Sequence, residues 1–149
     1  LASPLHDIGK IGIPDVILNK PGKLDDKEWR VMQTHAQLGY EILAQSQNEI
    51  LQIGALIAQQ HHEKWDGTGY PQSLAGEDIH IVGRITALAD VFDALASERC
   101  YKAAWPLPKV IEHLKQQSGL HFEPKLVSIL VEHLDEFVAI RDAFPDVQN

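Results

Sequence analysis

Six residues of this sequence have types and spacings that could do chemistry together: His6 with Asp7, His35, His61 with His62, and Asp90. Imidazole and carboxylate are the ligand types of zinc, iron, manganese and nickel, whereas a hard, all-oxygen calcium site would not use four histidines. Consecutive residues of a helix point about 100° apart, so His61 and His62 are expected to face different ions, with Asp7 able to bridge them. A carboxylate bridging among histidines holds two divalent ions roughly 3.5 to 4 Å apart, and such a pair supplies a nucleophile at neutral pH and stabilises in-line displacement at phosphorus. The chemistry suggested is metal-assisted phosphoester hydrolysis. Taken singly the residues say little. A lone histidine on an apolar helix face is more often a hydrogen-bonded core residue than a ligand, and Asp93, one turn after Asp90, fits the spacing equally well. Their joint occurrence carries the reading. His80, His113, His121 and His133 have no ligand-like partner in sequence and read as surface or core-edge residues.

These side chains need elements to hold them. Leu1 to Ile8 is apolar enough to be the end of a buried helix, with His6 and Asp7 in its last turn and Gly9 as terminator. Gly12, Pro14 and the turn Lys20-Pro21-Gly22-Lys23 predict a loop from Ile11 onward. Asp25 and Glu28 have capping-box spacing. From there Trp29, Met32, His35, Ala36, Gly39 and Leu43 recur at three- and four-residue steps, which places His35 on the buried face of an amphipathic helix. Asn48 breaks the pattern, and Ile50, Ile53, Gly54, Ile57 and His61 mark a second helix. Asp66 to Asp78, with three glycines and one proline, reads as a loop. Ile79 to Ser97 reads as a third helix with Ile81, Ile85, Leu88, Phe92 and Leu95 as its apolar stripe. Pro108 and Gly119 bracket a fourth, and Pro124 opens a last one running to about Phe144. With no strand alternation and no repeat, the fold class expected is all-α.

At 149 residues and 44% hydrophobic, the chain has the size of one domain, residues 1–149, with a substantial core. No run approaches the roughly 18 apolar residues of a membrane span, and no secretory signal opens the chain, so a cytoplasmic location is expected. The single cysteine, Cys100, rules out an internal disulfide framework and a cysteine metal site. A formal net charge of -8 argues against general nucleic-acid binding, which needs excess Lys and Arg to neutralise phosphates. Because Leu1 lies within what reads as a helix already under way, the chain is expected to be part of a longer protein.

His6-Asp7-Ile8-Gly9-Lys10 resembles the signature of the HD superfamily of metal-dependent phosphohydrolases. His61-His62-Glu63 with Asp66-Gly67-Thr68-Gly69-Tyr70-Pro71 resembles the hallmark of its HD-GYP branch, the cyclic di-GMP phosphodiesterases. The resemblance runs from Leu1 to about Leu130 and includes Lys20-Pro21-Gly22-Lys23-Leu24 and Ala89-Asp90-Val91-Phe92-Asp93-Ala94-Leu95. It implies an all-helical HD-domain bundle, two or three divalent ions, usually iron or manganese, and hydrolysis of cyclic di-GMP to pGpG and often on to GMP. It places His6, Asp7, His35, His61, His62 and Asp90 on the metal ligands, with Asp7 bridging, and so prefers Asp90 to Asp93. It puts Lys10 on the reacting phosphate and Arg99 and Lys102 on the substrate phosphates, a guanidinium and an ammonium being suited to hold the phosphate that is not cut.

Gly67, Gly69, Tyr70 and Pro71 would form a loop that shapes substrate access, with Tyr70 against the substrate, and that meets partner domains such as a diguanylate cyclase or a receiver domain. A homodimer and an upstream sensory domain are further expectations of the resemblance. Two positions depart from the pattern: Cys100 and Ala36 stand where the family usually has proline. Neither is a ligand position, so only local rigidity is expected to change. The family takes a further histidine, and in trinuclear members a glutamate, from a helix upstream of Leu1. Two other readings compete: a phosphodiesterase for another cyclic dinucleotide such as cyclic GMP-AMP, and a non-catalytic module that senses a ligand and signals through the Gly-Tyr-Pro loop.

Overall fold

The computed structural model describes residues 2–97 and 104–143. Seven α-helices follow in order: α1 (Asp15–Leu18), α2 (Asp26–Leu43), α3 (Glu49–Gln60), α4 (Ile81–Ala96), α5 (Leu107–Gln116), α6 (Pro124–Glu132) and α7 (Leu134–Ala143). Among the described residues there is no strand, only the isolated bridges Asp66–Ala75 and Ser118–Phe122. The all-α expectation holds. The chain divides into two compact units, Leu1–Ala87 and Leu88–Asn149, with the division inside α4.

In the first unit α2 and α3 form the scaffold. Asp25 caps α2 with the reciprocal bonds of a capping box: its side chain accepts from the Lys27 and Glu28 amides, and Glu28 Oε2 accepts from the Asp25 amide at 2.8 Å. Asn48 caps α3 by accepting from the Ile50 amide at 2.9 Å. The buried residues of α2, His35, Ala36, Gly39 and Leu43, lie on one face as their spacing requires. The two helices approach closely at Gly39, where a Cβ would stand 2.9 Å from Ala58 Cβ. Gln59 Nε2 also donates to Gln37 Oε1 at 3.0 Å, tying the pair where both are partly buried.

Three expectations about elements are revised. The segment through His6 and Asp7 is not the end of an α-helix but two short 3-10 turns, Ser3–Leu5 and Ile8–Gly12, on either side of the dipeptide. Close packing explains the break, because a Cβ on Gly9 would overlap the His35 carbonyl, so this backbone must lie directly on α2. The expected loop after Ile11 contains α1, entered from Pro14 with Asp15 in its first turn. The expected last helix is two, divided at His133 (φ -108°, ψ 28°). On α4 the buried face is set by small residues rather than by the first two isoleucines. Gly83, Thr86, Ala87, Leu88, Phe92 and Ala96 are buried, whereas Ile81 and Ile85 are exposed. A Cβ on Gly83 would stand 2.8 Å from Gln60 Cβ.

The second unit has its own core of Leu88, Phe92, Ala96, Val110, Leu114, Phe122, Val127 and Leu130. Pro108 and Pro124 stand in the first turns of α5 and α6, where a missing amide hydrogen costs no helical bond.

Candidate metal centre

One ligand atom from each of Asp7, His35, His61 and His62 falls within 4.8 Å of the other three. The residues come from three places: the turn before Ile8, the middle of α2, and the end of α3. Backbone carbonyls orient the imidazoles. His6 Nδ1 bonds Ser3 O at 2.8 Å, His35 Nδ1 bonds Met32 O at 2.6 Å, and His61 Nδ1 meets Ile57 O and Ala58 O, both at 3.0 Å. A carbonyl can only accept, so each Nδ1 carries a hydrogen; at His35 and His61 the Nε2 then presents a lone pair, whereas His6 Nε2 donates to Asp7.

Those Nε2 atoms converge on Asp7. His35 Nε2 is 3.5 Å and His61 Nε2 3.9 Å from Oδ1, while His6 Nε2 is 3.3 Å and Lys10 Nζ 2.6 Å from Oδ2. The two carboxylate oxygens thus face two sets of groups, as a bridging ligand must. His35 Nε2 and His61 Nε2 are buried and have no hydrogen-bond partner. Such atoms are costly unless something accepts their lone pairs. A divalent transition ion would do so, and these nitrogen and oxygen donors fit one.

Burial and charge act together on the site's protonation. Burial alone would raise the Asp7 carboxyl, but hydrogen bonds from His6 and Lys10, with the Lys10 charge, hold it far below the usual range. Burial and then the neighbouring His6 lower His61 to about 4, and burial with the adjacent imidazoles lowers His62 to about 2. His35 is lowered as well, chiefly by burial. At neutral pH the cluster therefore presents an ionised carboxylate and neutral imidazoles, the forms that bind metal.

α3 stops at Gln60 with His61 as its C-cap (φ -67°, ψ -12°), and the His61 and His62 rings lie 3.9 Å apart between centroids. Asp90 lies on the part of α4 within the second unit and is half-buried there. Arg99 and Lys102 lie outside the described residues, as does Cys100.

The Gly-Tyr-Pro loop packs on the cluster. Tyr70 stacks on His62, with centroids 4.7 Å apart and planes 24° from parallel, and sets its ring edgewise to His35 and Trp29. Its amide donates to His62 O at 3.2 Å. Gly69 must be glycine here, since a Cβ would overlap the Lys64 amide nitrogen and lie 2.5 Å from His62 O. One residue that the chemistry of ligands did not single out is Glu63. It is 1% exposed, and its carboxylate accepts from the Gln72 amide at 2.7 Å and the Leu74 amide at 3.0 Å. The signal in the sequence was an acidic residue directly after the histidine pair and before a glycine-rich loop, whose amides need an acceptor.

Residues 1–126 match the family model described as HD domain. The chain is 59% identical over 145 residues to 3'3'-cGAMP-specific phosphodiesterase 2 of Vibrio cholerae, covering 97% of this chain and 28% of that protein. It is 53% identical over 131 residues to the cyclic di-GMP phosphodiesterase response regulator RpfG of Xanthomonas campestris, covering 88% of this chain and 35% of that protein. The chain thus spans about a third of the length of the curated relatives it matches. A crystal structure of a cyclic GMP-AMP specific phosphodiesterase of V. cholerae superposes with a TM-score of 0.64 at 21% identity, over 91% of this chain and 37% of that one, and shares the fold. With the match extending over most of its length, the chain belongs to the HD domain family.

Proposed function

We propose that this chain is the catalytic domain of a cyclic dinucleotide phosphodiesterase that hydrolyses cyclic di-GMP to pGpG, GMP or both. The observation that carries this reading is the convergence of unpartnered Nε2 atoms from His35 and His61 on the Asp7 carboxylate. Two or three divalent ions, iron or manganese, held by His6, Asp7, His35, His61, His62 and Asp90, would supply a nucleophile at neutral pH and charge stabilisation at phosphorus.

The remaining work falls to the chain's own groups. Asp7 stays ionised and shares its two oxygens between the histidines. Lys10, 2.6 Å from Asp7 Oδ2 and partly exposed, turns toward the phosphate being cut and offsets its growing negative charge. Arg99 and Lys102 hold the second phosphate, Arg99 through a two-pronged contact. Tyr70 forms a wall against which the substrate lies, and the loop around it is the surface offered to a diguanylate cyclase or receiver domain. A homodimer belongs to the same reading.

The name of the 59%-identical relative favours a second reading, 3'3'-cGAMP as substrate. The two dinucleotides share their phosphodiester ring and differ in one base, so the metal cluster would serve both. Substrate choice would then rest with groups that touch the bases. Parallel turnover of cyclic di-GMP and 3'3'-cGAMP by the full-length protein, loaded anaerobically with iron or manganese and assayed for metal on the same sample, tests both. Turnover of one dinucleotide in proportion to bound metal identifies the substrate. Full metal occupancy without turnover of either would leave the sensing module as the reading.

A further inference from the structure

His62 differs from its neighbours in how it is held. His6, His35 and His61 are each fixed by a carbonyl at Nδ1, but among the described residues no hydrogen bond holds the His62 ring. Its orientation comes from ring contacts: His61 at 3.9 Å and 44°, the Tyr70 face at 4.7 Å and 24°, and His35 at 5.0 Å and 84°. Tyr70 is in turn placed by a loop that returns across residues 62–65, with Tyr70 N on His62 O and Gly76 N on Trp65 O. The side chain that closes this return is Glu63, whose two oxygens take the Gln72 and Leu74 amides.

We propose that Glu63 is a positioning residue for metal binding, acting through the loop and the Tyr70 ring to fix the imidazole plane of His62. Carboxylate and carbonyl partners commonly orient metal-bound histidines, and losing one typically lowers metal affinity about 10- to 100-fold. In this site an aromatic face takes that part for His62, and a buried carboxylate holds the face. The inference rests on the reading of the cluster as a metal centre, but not on which substrate is cut.

The test is Mn²⁺ affinity of the full-length protein, measured by competition with a fluorescent chelator, in Glu63→Gln, Tyr70→Leu, Tyr70→Phe and the Glu63→Gln/Tyr70→Leu pair. Glu63→Gln keeps one acceptor and sets an amide group against the second backbone N–H, which releases one end of the loop. Both Glu63→Gln and Tyr70→Leu are expected to weaken Mn²⁺ binding about tenfold, and the double variant no more than the stronger single one, since both act on one chain of contacts. Tyr70→Phe, which keeps the ring, should bind as the parent does. Wild-type affinity in Tyr70→Leu, or losses that multiply in the double variant, would overturn the proposal. If Glu63→Gln fails to fold, Glu63→Asp, which keeps a shorter carboxylate, takes its place, and wild-type Mn²⁺ affinity in the folded Glu63 variant would overturn the proposal. Normal Mn²⁺ binding by the parent without phosphodiesterase turnover would count against the enzymatic reading and leave this one standing.

Discussion

At the scale of single residues, Asp7 concentrates the consequences. It faces His35 and His61 with one oxygen and His6 and Lys10 with the other, so Asp7→Ala removes the group common to both sides. Metal content is expected to fall together with turnover, the latter by more than about 100-fold, the upper range for losing even an outer partner of a ligand. Elemental analysis and initial rates on one preparation check this, and full metal content with full activity would refute the bridging role. Arg99→Ala should separate differently, raising KM about tenfold with kcat little changed, because a contact to the uncut phosphate is made equally in ground and transition states. His61 gives the metal-free protein a pH dependence. Its side chain is fully buried and its pKa falls from 6.5 to about 4. Between those values the unfolded chain binds a proton that the folded chain does not, so stability is full above pH 6.5 and declines as the pH falls toward 4. The decline from this group is about 3 kcal/mol. Urea titrations of the metal-stripped protein at pH 7.5 and pH 5 should show about 2 kcal/mol of it, and His61→Asn should remove that share while His35 and His62 keep theirs.

At the scale of elements, the site depends on how closely a turn can lie on a helix. Gly9 lies where any Cβ would overlap the His35 carbonyl and stand 2.5 Å from the Gly39 nitrogen. Gly9→Ala must push the turn off α2 and carry Asp7 away from His35, at a cost of about 2 kcal/mol or more in stability. Gly12→Ala meets only the end of the flexible Leu38 side chain, at 2.8 Å, and should cost less. Comparing the two by chemical denaturation, with Mn²⁺ affinity measured on each, distinguishes loss of packing from loss of the site. The helices themselves were readable from the sequence because their signals are local: the Asp25–Glu28 box, the Asn48 cap and the repeat of apolar residues through His35. The turn at His6-Asp7 was not, because what breaks the helix there is contact with a helix some thirty residues away. The part of Glu63 was hidden for a related reason. Its partners are backbone amides of Gln72 and Leu74, which any residue but proline supplies, so no side-chain type in the loop betrays them. The gathering of Asp7, His35, His61 and His62 was legible because imidazoles with a carboxylate are rare enough to be read together.

At the scale of the whole molecule, the cluster links segments far apart in sequence, and a metal held there would govern stability as well as chemistry. Asp7, His35 and the His61–His62 pair approach within 4.8 Å only in the folded chain, so an ion held by all of them binds the native state and scarcely the unfolded one. At a free Mn²⁺ concentration 1,000 times the dissociation constant, the stabilisation is about 4 kcal/mol. For a chain of this length that corresponds to a rise of roughly 10 °C in Tm. The opposing factor is the cluster's own metal-free state, in which buried imidazoles are held neutral without partners for His35 Nε2 and His61 Nε2. Removing metal should therefore lower Tm, and the metal-free protein should melt lower at pH 5 than at pH 7.5 as the unfolded histidines take up protons. Thermal unfolding of the full-length protein with EDTA, with Mn²⁺ restored, and with Ca²⁺ in its place measures this directly. Mn²⁺ should recover the shift, and Ca²⁺, which prefers an all-oxygen cage, should not. Asp7→Ala should abolish the response to Mn²⁺. A Tm that ignores EDTA and Mn²⁺ alike in the parent would mean that the four donors do not act together on an ion, and the metal-centre reading would fall with it.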